Sequence, residues 1–91
     1  MEIRKEIVVK NKTGLHARPA ALFVQIANKY QSDITIIKDD QEVNGKSIMG
    51  ILMLAAEKGS KVTIVANGED AEHAVKELEE ILLNDMEPEK F

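Results

Sequence analysis

The chain of 91 residues has no cysteine and no tryptophan, and its aromatics are one tyrosine and two phenylalanines. Without cysteine there is no disulfide framework, no thiolate nucleophile and no thiolate metal ligand, which suits a reducing compartment. With so few aromatics and a net charge of −4, the chain has neither the stacking platforms nor the basic field that direct nucleic-acid binding needs. No apolar run approaches the ~20 residues of a spanning helix, and no signal-peptide pattern opens the chain, so a cytoplasmic protein without membrane insertion is expected. His16 and His73 are distant in sequence, and without cysteine they assemble no metal site. Paired catalytic carboxylates, a P-loop, internal repeats and low-complexity tracts are absent too. What is present is an apolar fraction of 44%, enough for one core. A single domain over residues 1–91 is expected, with 85–91 as a frayed tail.

The charge is unevenly spread. Residues 1–29 hold six Lys or Arg against two Asp or Glu, whereas residues 69–91 hold two against nine. Arg4, Lys5, Lys10, Lys12 and Arg18 make the N-terminal part relatively basic. Charge runs are commonly solvated faces, and this one would also steer an acidic partner or a phosphorylated donor.

The segment Thr13-Gly14-Leu15-His16-Ala17-Arg18-Pro19-Ala20 is where the sequence stops reading as ordinary core and turn. Gly14 lets the chain bend sharply, and Pro19, lacking an N–H, suits the first turn of a helix. Ala20, Phe23, Ile26, Ala27 and Tyr30 recur at helical spacing, which predicts a helix over residues 17–29 with His16 at its start. A helix start offers backbone N–H groups without intrahelical partners and the positive end of the dipole, a setting that holds phosphate. An imidazole in that setting is a nucleophile, and Arg18 two residues on adds a guanidinium that can hold the anion it would carry. Residues of these types in this order describe a phosphoryl acceptor, although a lone histidine at a helix start is more often a cap or a surface residue.

Gly14-Leu15-His16-Ala17-Arg18-Pro19-Ala20 closely resembles the phosphorylation site of the HPr family, the histidine phosphocarriers of the bacterial phosphoenolpyruvate:sugar phosphotransferase system. Val43-Asn44-Gly45-Lys46-Ser47-Ile48-Met49-Gly50 resembles the family's regulatory serine region. The resemblance runs from the first strand to the last helix. It implies a protein substrate of phosphotransferase enzymes rather than an enzyme, with no cofactor. His16 would take a phosphoryl group from enzyme I, on Nδ1 in that family, and pass it to sugar-specific enzyme IIA components. Arg18 would hold the phosphate, with the backbone of Ala17 and Arg18 binding it. Ser47 would be modified by HPr kinase/phosphorylase, and a catabolite-control transcription regulator would read the result. Ile48, Met49, Leu52, Ala20 and Ala21 would form the docking surface of a monomer. Leu52-Met53-Leu54 departs from the sugar-branch second helix and leans toward an HPr-like paralogue of the nitrogen-related branch, while Lys46-Ser47-Ile48-Met49-Gly50 leans back. A regulatory protein-binding module is the remaining alternative, disfavoured by the presence of His16.

Along the chain, residues 2–10 read as a first strand with Ile7 and Val9 on one face. Residues 34–38 and 41–43 read as a hairpin around Asp39-Asp40. Ser47 is an N-cap before the apolar stretch Ile48–Ala56, in which Ile51, Leu54 and Ala55 are assigned to the core and the surplus to solvent. As a plain cap, Ser47 would be worth ~1 kcal/mol. Gly59 is assigned to the left-handed position that ends this helix. Residues 61–66 form a fourth strand. Ala71, Ala74, Val75, Leu78, Ile81 and Leu82 stripe a last helix, with Glu72 and Lys76 as an i,i+4 pair and His73 on its polar face. The order β-α-β-β-α-β-α predicts an α+β open-faced sandwich, a four-stranded antiparallel sheet with three helices on one face. A fourth strand between the first and second is the arrangement the family resemblance also implies.

Overall fold

In the computed structural model residues 1–85 are described. Alternation of apolar and polar residues builds four strands: β1 (Glu2–Val8), β2 (Asp33–Lys38), β3 (Gln41–Asn44) and β4 (Lys61–Asn67). They form one sheet in the order β1-β4-β2-β3, and every neighbouring pair is antiparallel. The register sets Ile7 opposite Val62, Ile34 opposite Ala66, and Ile36 opposite both Ile64 and Val43. A slip of one residue would turn these side chains to water, so burial of one face fixes the pairing.

That face is covered by α1 (Ala17–Lys29), α2 (Ile48–Leu54) and α3 (Ala71–Leu83). The result is the expected open-faced α+β sandwich, with Phe23, Leu15, Ile36, Ile64, Leu78 and Leu82 among its fully buried side chains. The stripe expected on α3 is buried throughout. At roughly 1.5–3 kcal/mol for each large side chain removed from water, such stripes supply most of what holds short helices on the sheet.

Lys5 interrupts the alternation. Its register partner is Ile64, so it occupies a helix-side position on the edge strand β1. Its ammonium escapes burial by reaching Glu79 of α3, Nζ to Oε2 2.9 Å. An inward-directed charge on an exposed edge also discourages a further strand from adding there.

Four expectations need correction. Ala55 is exposed and ends α2 itself in the left-handed conformation, φ 52°, so the buried residue is Ala56. Gly59 therefore does not terminate that helix; it lies in the turn into β4, where its N–H donates to Val9 O at 2.8 Å. Glu72 and Lys76 do not pair among the described residues; the contacts of α3 with lysines run to other elements, Glu79 to Lys5 and Glu77 to Lys29. Asp85 is exposed yet fastened, because its Oδ1 accepts the Lys12 N–H at 2.7 Å. The rest of the expected tail, Met86–Phe91, lies outside the described residues.

Candidate functional site

The loop from β1 to α1 is pinned almost residue by residue. Val9 N donates to Ser60 O, and the N–H groups of Lys10 and Asn11 both donate to Leu82 O. The Asn11 side chain, buried, donates through Nδ2 to Gly14 O at 2.9 Å. Leu15 N donates to Ala56 O at 2.7 Å. Gly14 makes this last approach feasible, since it sits at φ 65° and a Cβ there would run into the Ala56 carbonyl.

His16 follows as the N-cap of α1, with extended backbone at φ −126° and ψ 160°. Its side chain makes no capping bond, and the residue is half-buried, so the ring is not consumed by the fold. Ala17 enters the helix at φ 49°, a left-handed conformation that costs an L-residue ~1–2 kcal/mol. Local strain of this kind tends to gather where a side chain must be aimed. The Ala20 N–H reaches His16 O at 3.5 Å, and Pro19 has no N–H. Ala17 and Arg18 thus carry the first-turn N–H groups that, among the described residues, donate to no backbone carbonyl. Arg18 is exposed, with no carboxylate within 4.0 Å among those residues. An imidazole, two amides and a guanidinium without an anion are assembled within three consecutive residues.

Ser47 caps α2 as expected: its Oγ accepts the Gly50 N–H at 3.1 Å. It is placed at the opposite end of α1 from His16. Asn28, near the C-terminus of α1, donates to Lys46 O, and Lys46 Nζ donates to Tyr30 O at 2.8 Å. The other end of α2 meets the His16 loop through Ala56. The two helices therefore run antiparallel. The length of α2, roughly 10 Å, keeps Ser47 away from the histidine loop, too far for the two to act as one nucleophile–base pair.

Between these ends α2 exposes Ile48 (40%), Met49 (64%), Leu52 (40%) and Met53 (66%). Ile51 and Leu54 carry its buried side. Ala21 is also exposed, but Ala20 is fully buried because it lies on the core stripe of α1 with Phe23 and Ala27. Ala20 consequently offers no side-chain surface to a partner.

Several supporting contacts gave no signal in the sequence. Asn11 and Asp85 read as a loop and a tail. Lys38 of β2 donates to the carbonyls of Leu54 and Ala55, closing α2, which has no basic residue in its own last turn. Asp70 precedes α3 but makes no side-chain cap there; its carboxylate accepts from the Ser32 hydroxyl and from the N–H groups of Gln31 and Ser32. These bonds, the hydroxyl first, hold the Asp70 carboxyl below its ordinary range. At the C-cap of α1, the Tyr30 hydroxyl donates to Glu77. That bond, with burial and the carboxylate charges of Glu77 and Asp70, pushes the phenol up to about 12. The same bond, aided by Lys29, holds Glu77 low. His73 lies exposed on α3.

No helix among the described residues is long and apolar enough to cross a membrane. A family model described as the PTS HPr component phosphorylation site matches residues 3–84. The chain is 50% identical over 76 residues to the HPr-like protein Crh of Bacillus subtilis (strain 168), covering 84% of this chain and 89% of that protein. It is 42% identical over 85 residues to the phosphocarrier protein HPr of Treponema pallidum (strain Nichols), covering 93% and 97%. A crystal structure of a phosphocarrier protein HPr from Bacillus anthracis str. Ames superposes with a TM-score of 0.86 at 51% identity, over 89% of this chain and 96% of that one. The family consists of small phosphocarriers that serve as protein substrates rather than catalysts. With the helix-start histidine and the capping serine both in place, the chain belongs to the HPr family of phosphocarriers of the phosphotransferase system.

Proposed function

We propose that His16 accepts a phosphoryl group from phospho-enzyme I and passes it to sugar-specific enzyme IIA components, in the cytoplasm and as a monomer. The observation that carries this reading is the half-open imidazole, which caps no N–H and stands beside the amides of Ala17 and Arg18, which donate to no carbonyl among the described residues. A ring nitrogen attacks phosphorus in line, forming an N–P bond as the donor's bond to phosphorus breaks. The helix-start amides and the Arg18 guanidinium then hold the new dianion. Because the donor protein brings the phosphoryl group and the acceptor protein removes it, the site needs only a nucleophile and a cradle. The exposed face of α2, with Ala21, is the surface on which these partners dock. The test is incubation with enzyme I and phosphoenolpyruvate. An acid-labile, base-stable phosphate on His16, absent from His16→Ala, is expected, and its absence from the unaltered protein would sink the reading.

A second reading shares the fold. The likeness to the HPr-like protein Crh favours a regulatory protein-binding module, switched at Ser47 by HPr kinase/phosphorylase and read by a catabolite-control transcription regulator. It puts the function on α2 and gives His16 no chemistry. A chain that takes phosphate on Ser47 from the kinase but none on His16 from enzyme I would establish this second reading over the first.

A further inference from the structure

We propose that Met49 and Met53 form a reversible oxidation site on the exposed face of α2, whose co-substrate is a peroxide. The inference rests on the reading of that face as a docking surface. In a chain without cysteine, thioether sulfur is the side-chain sulfur that remains to be oxidised. Met49 and Met53 are 64% and 66% exposed, more open than Ile48 and Leu52 beside them. Spaced i and i+4, they are adjacent on one side of the helix. Met1 is comparably open, but its carbonyl accepts the Gly68 N–H, which places it near the start of α3 and away from this face.

In each oxidation the sulfur attacks one peroxide oxygen. The O–O bond breaks, an S–O bond forms, and the second oxygen leaves as water after taking up a proton. The sulfur loses two electrons and the peroxide gains them, giving methionine sulfoxide and water. The product replaces a flexible apolar group with a strong hydrogen-bond acceptor, which a partner's apolar surface cannot satisfy. The core is left alone, because Ile51 and Leu54 hold α2 to the rest of the molecule. Oxidation therefore removes docking without unfolding, and a methionine sulfoxide reductase would restore it.

The test treats the whole chain with hydrogen peroxide and locates the added oxygens by peptide mass. Binding to enzyme I by calorimetry and thermal melting are then compared before and after. Sulfoxide at Met49 and Met53 is expected, with affinity down about tenfold, restored by the reductase, and an unchanged melting curve. The variant M49L/M53L keeps Met1 and Met86, and its own affinity should not change on peroxide treatment. Complete oxidation at both residues with unaltered affinity would overturn the proposal, as would loss of the fold. Binding is read separately from transfer to His16, and no binding of enzyme I by the unoxidised protein would overturn the docking reading and this proposal with it. If Met49→Asp in the unoxidised protein binds enzyme I normally, the docking reading itself has failed. If that variant binds poorly while the oxidised protein binds well, only the oxidation proposal has failed.

Discussion

The amide of Leu15 donates to the carbonyl of Ala56 at 2.7 Å, which fastens the residue before His16 to the chain just beyond α2. The proposed nucleophile and the helix proposed to receive its partners are thus joined through a backbone bond, with Gly14 permitting the close approach. Gly14→Ala should lose both. A left-handed alanine costs ~1–2 kcal/mol, and crowding of the Ala56 carbonyl adds about 1–3 kcal/mol. A urea titration should show a loss of roughly 2–5 kcal/mol, and the fraction that remains folded should transfer phosphate slowly. A wild-type midpoint would contradict this packing.

Arg18 is exposed, so its removal should hardly touch the fold. A charge-assisted contact to phosphate is worth about 1.5–3 kcal/mol, so Arg18→Ala should slow phosphoryl transfer to His16 by roughly 10- to 100-fold. Stability should stay within about 0.5 kcal/mol of the unaltered protein. Stopped-flow transfer kinetics beside a thermal melt separate the two effects.

Ser47 has a structural task whether or not it is modified, since its hydroxyl accepts the Gly50 N–H. Ser47→Ala should cost ~1 kcal/mol through loss of the cap. Ser47→Asp retains a capping oxygen and should stay folded, but it places a charge at the edge of the apolar face of α2. Its phosphorylation by enzyme I should be markedly slower than that of the unaltered protein, and an equal rate would remove Ser47 from the docking region.

Ala55 ends α2 at φ 52° with its side chain exposed, so its strain meets no compensating contact in the core. Ala55→Gly relieves ~1–2 kcal/mol in the folded state and loses about 0.5–1 kcal/mol to the freer unfolded chain. A net gain of roughly 0.5–1 kcal/mol should raise the melting temperature by several degrees.

The carboxyls of Asp70 and Glu77 lie below their ordinary values in the folded chain. The unfolded chain therefore binds more protons as the pH falls. The stability they give is complete above about pH 5 and is lost as the pH drops through their folded values. Tyr30 shifts the other way: its contribution is complete below pH ~10 and is lost as the pH rises toward about 12. Denaturant midpoints across pH 2–7 should fall less steeply in Asp70→Asn than in the unaltered chain. Tyr30→Phe should flatten the alkaline limb.

Period and punctuation carried most of the fold. The α3 stripe, the alternation in β4, Pro19 in the first turn of α1 and the Ser47 cap are local signals, and each reads correctly alone. The errors fall where distant segments decide. Gly59 is a better left-handed residue than Ala55, yet Lys38 closes the helix at Leu54 and Ala55, and Gly59 goes to bond Val9. Ala20 and Ala21 are the same residue in sequence, and only the packing of α1 against the sheet buries one and exposes the other. His16 was legible because its surroundings are contiguous in the chain. Asn11, Lys38 and Asp85 were not, because their partners are backbone groups that no side-chain pattern marks.

Because α2 runs opposite to α1, His16 and Ser47 occupy separate addresses on one rigid body. Neither side chain can shield the other from a solvent-borne reagent. Chemistry at the serine end would reach the histidine end only through the footprint of a protein large enough to span both. Any antagonism between the two marks would then grow with the size of the visitor and fade for a small phosphoryl donor.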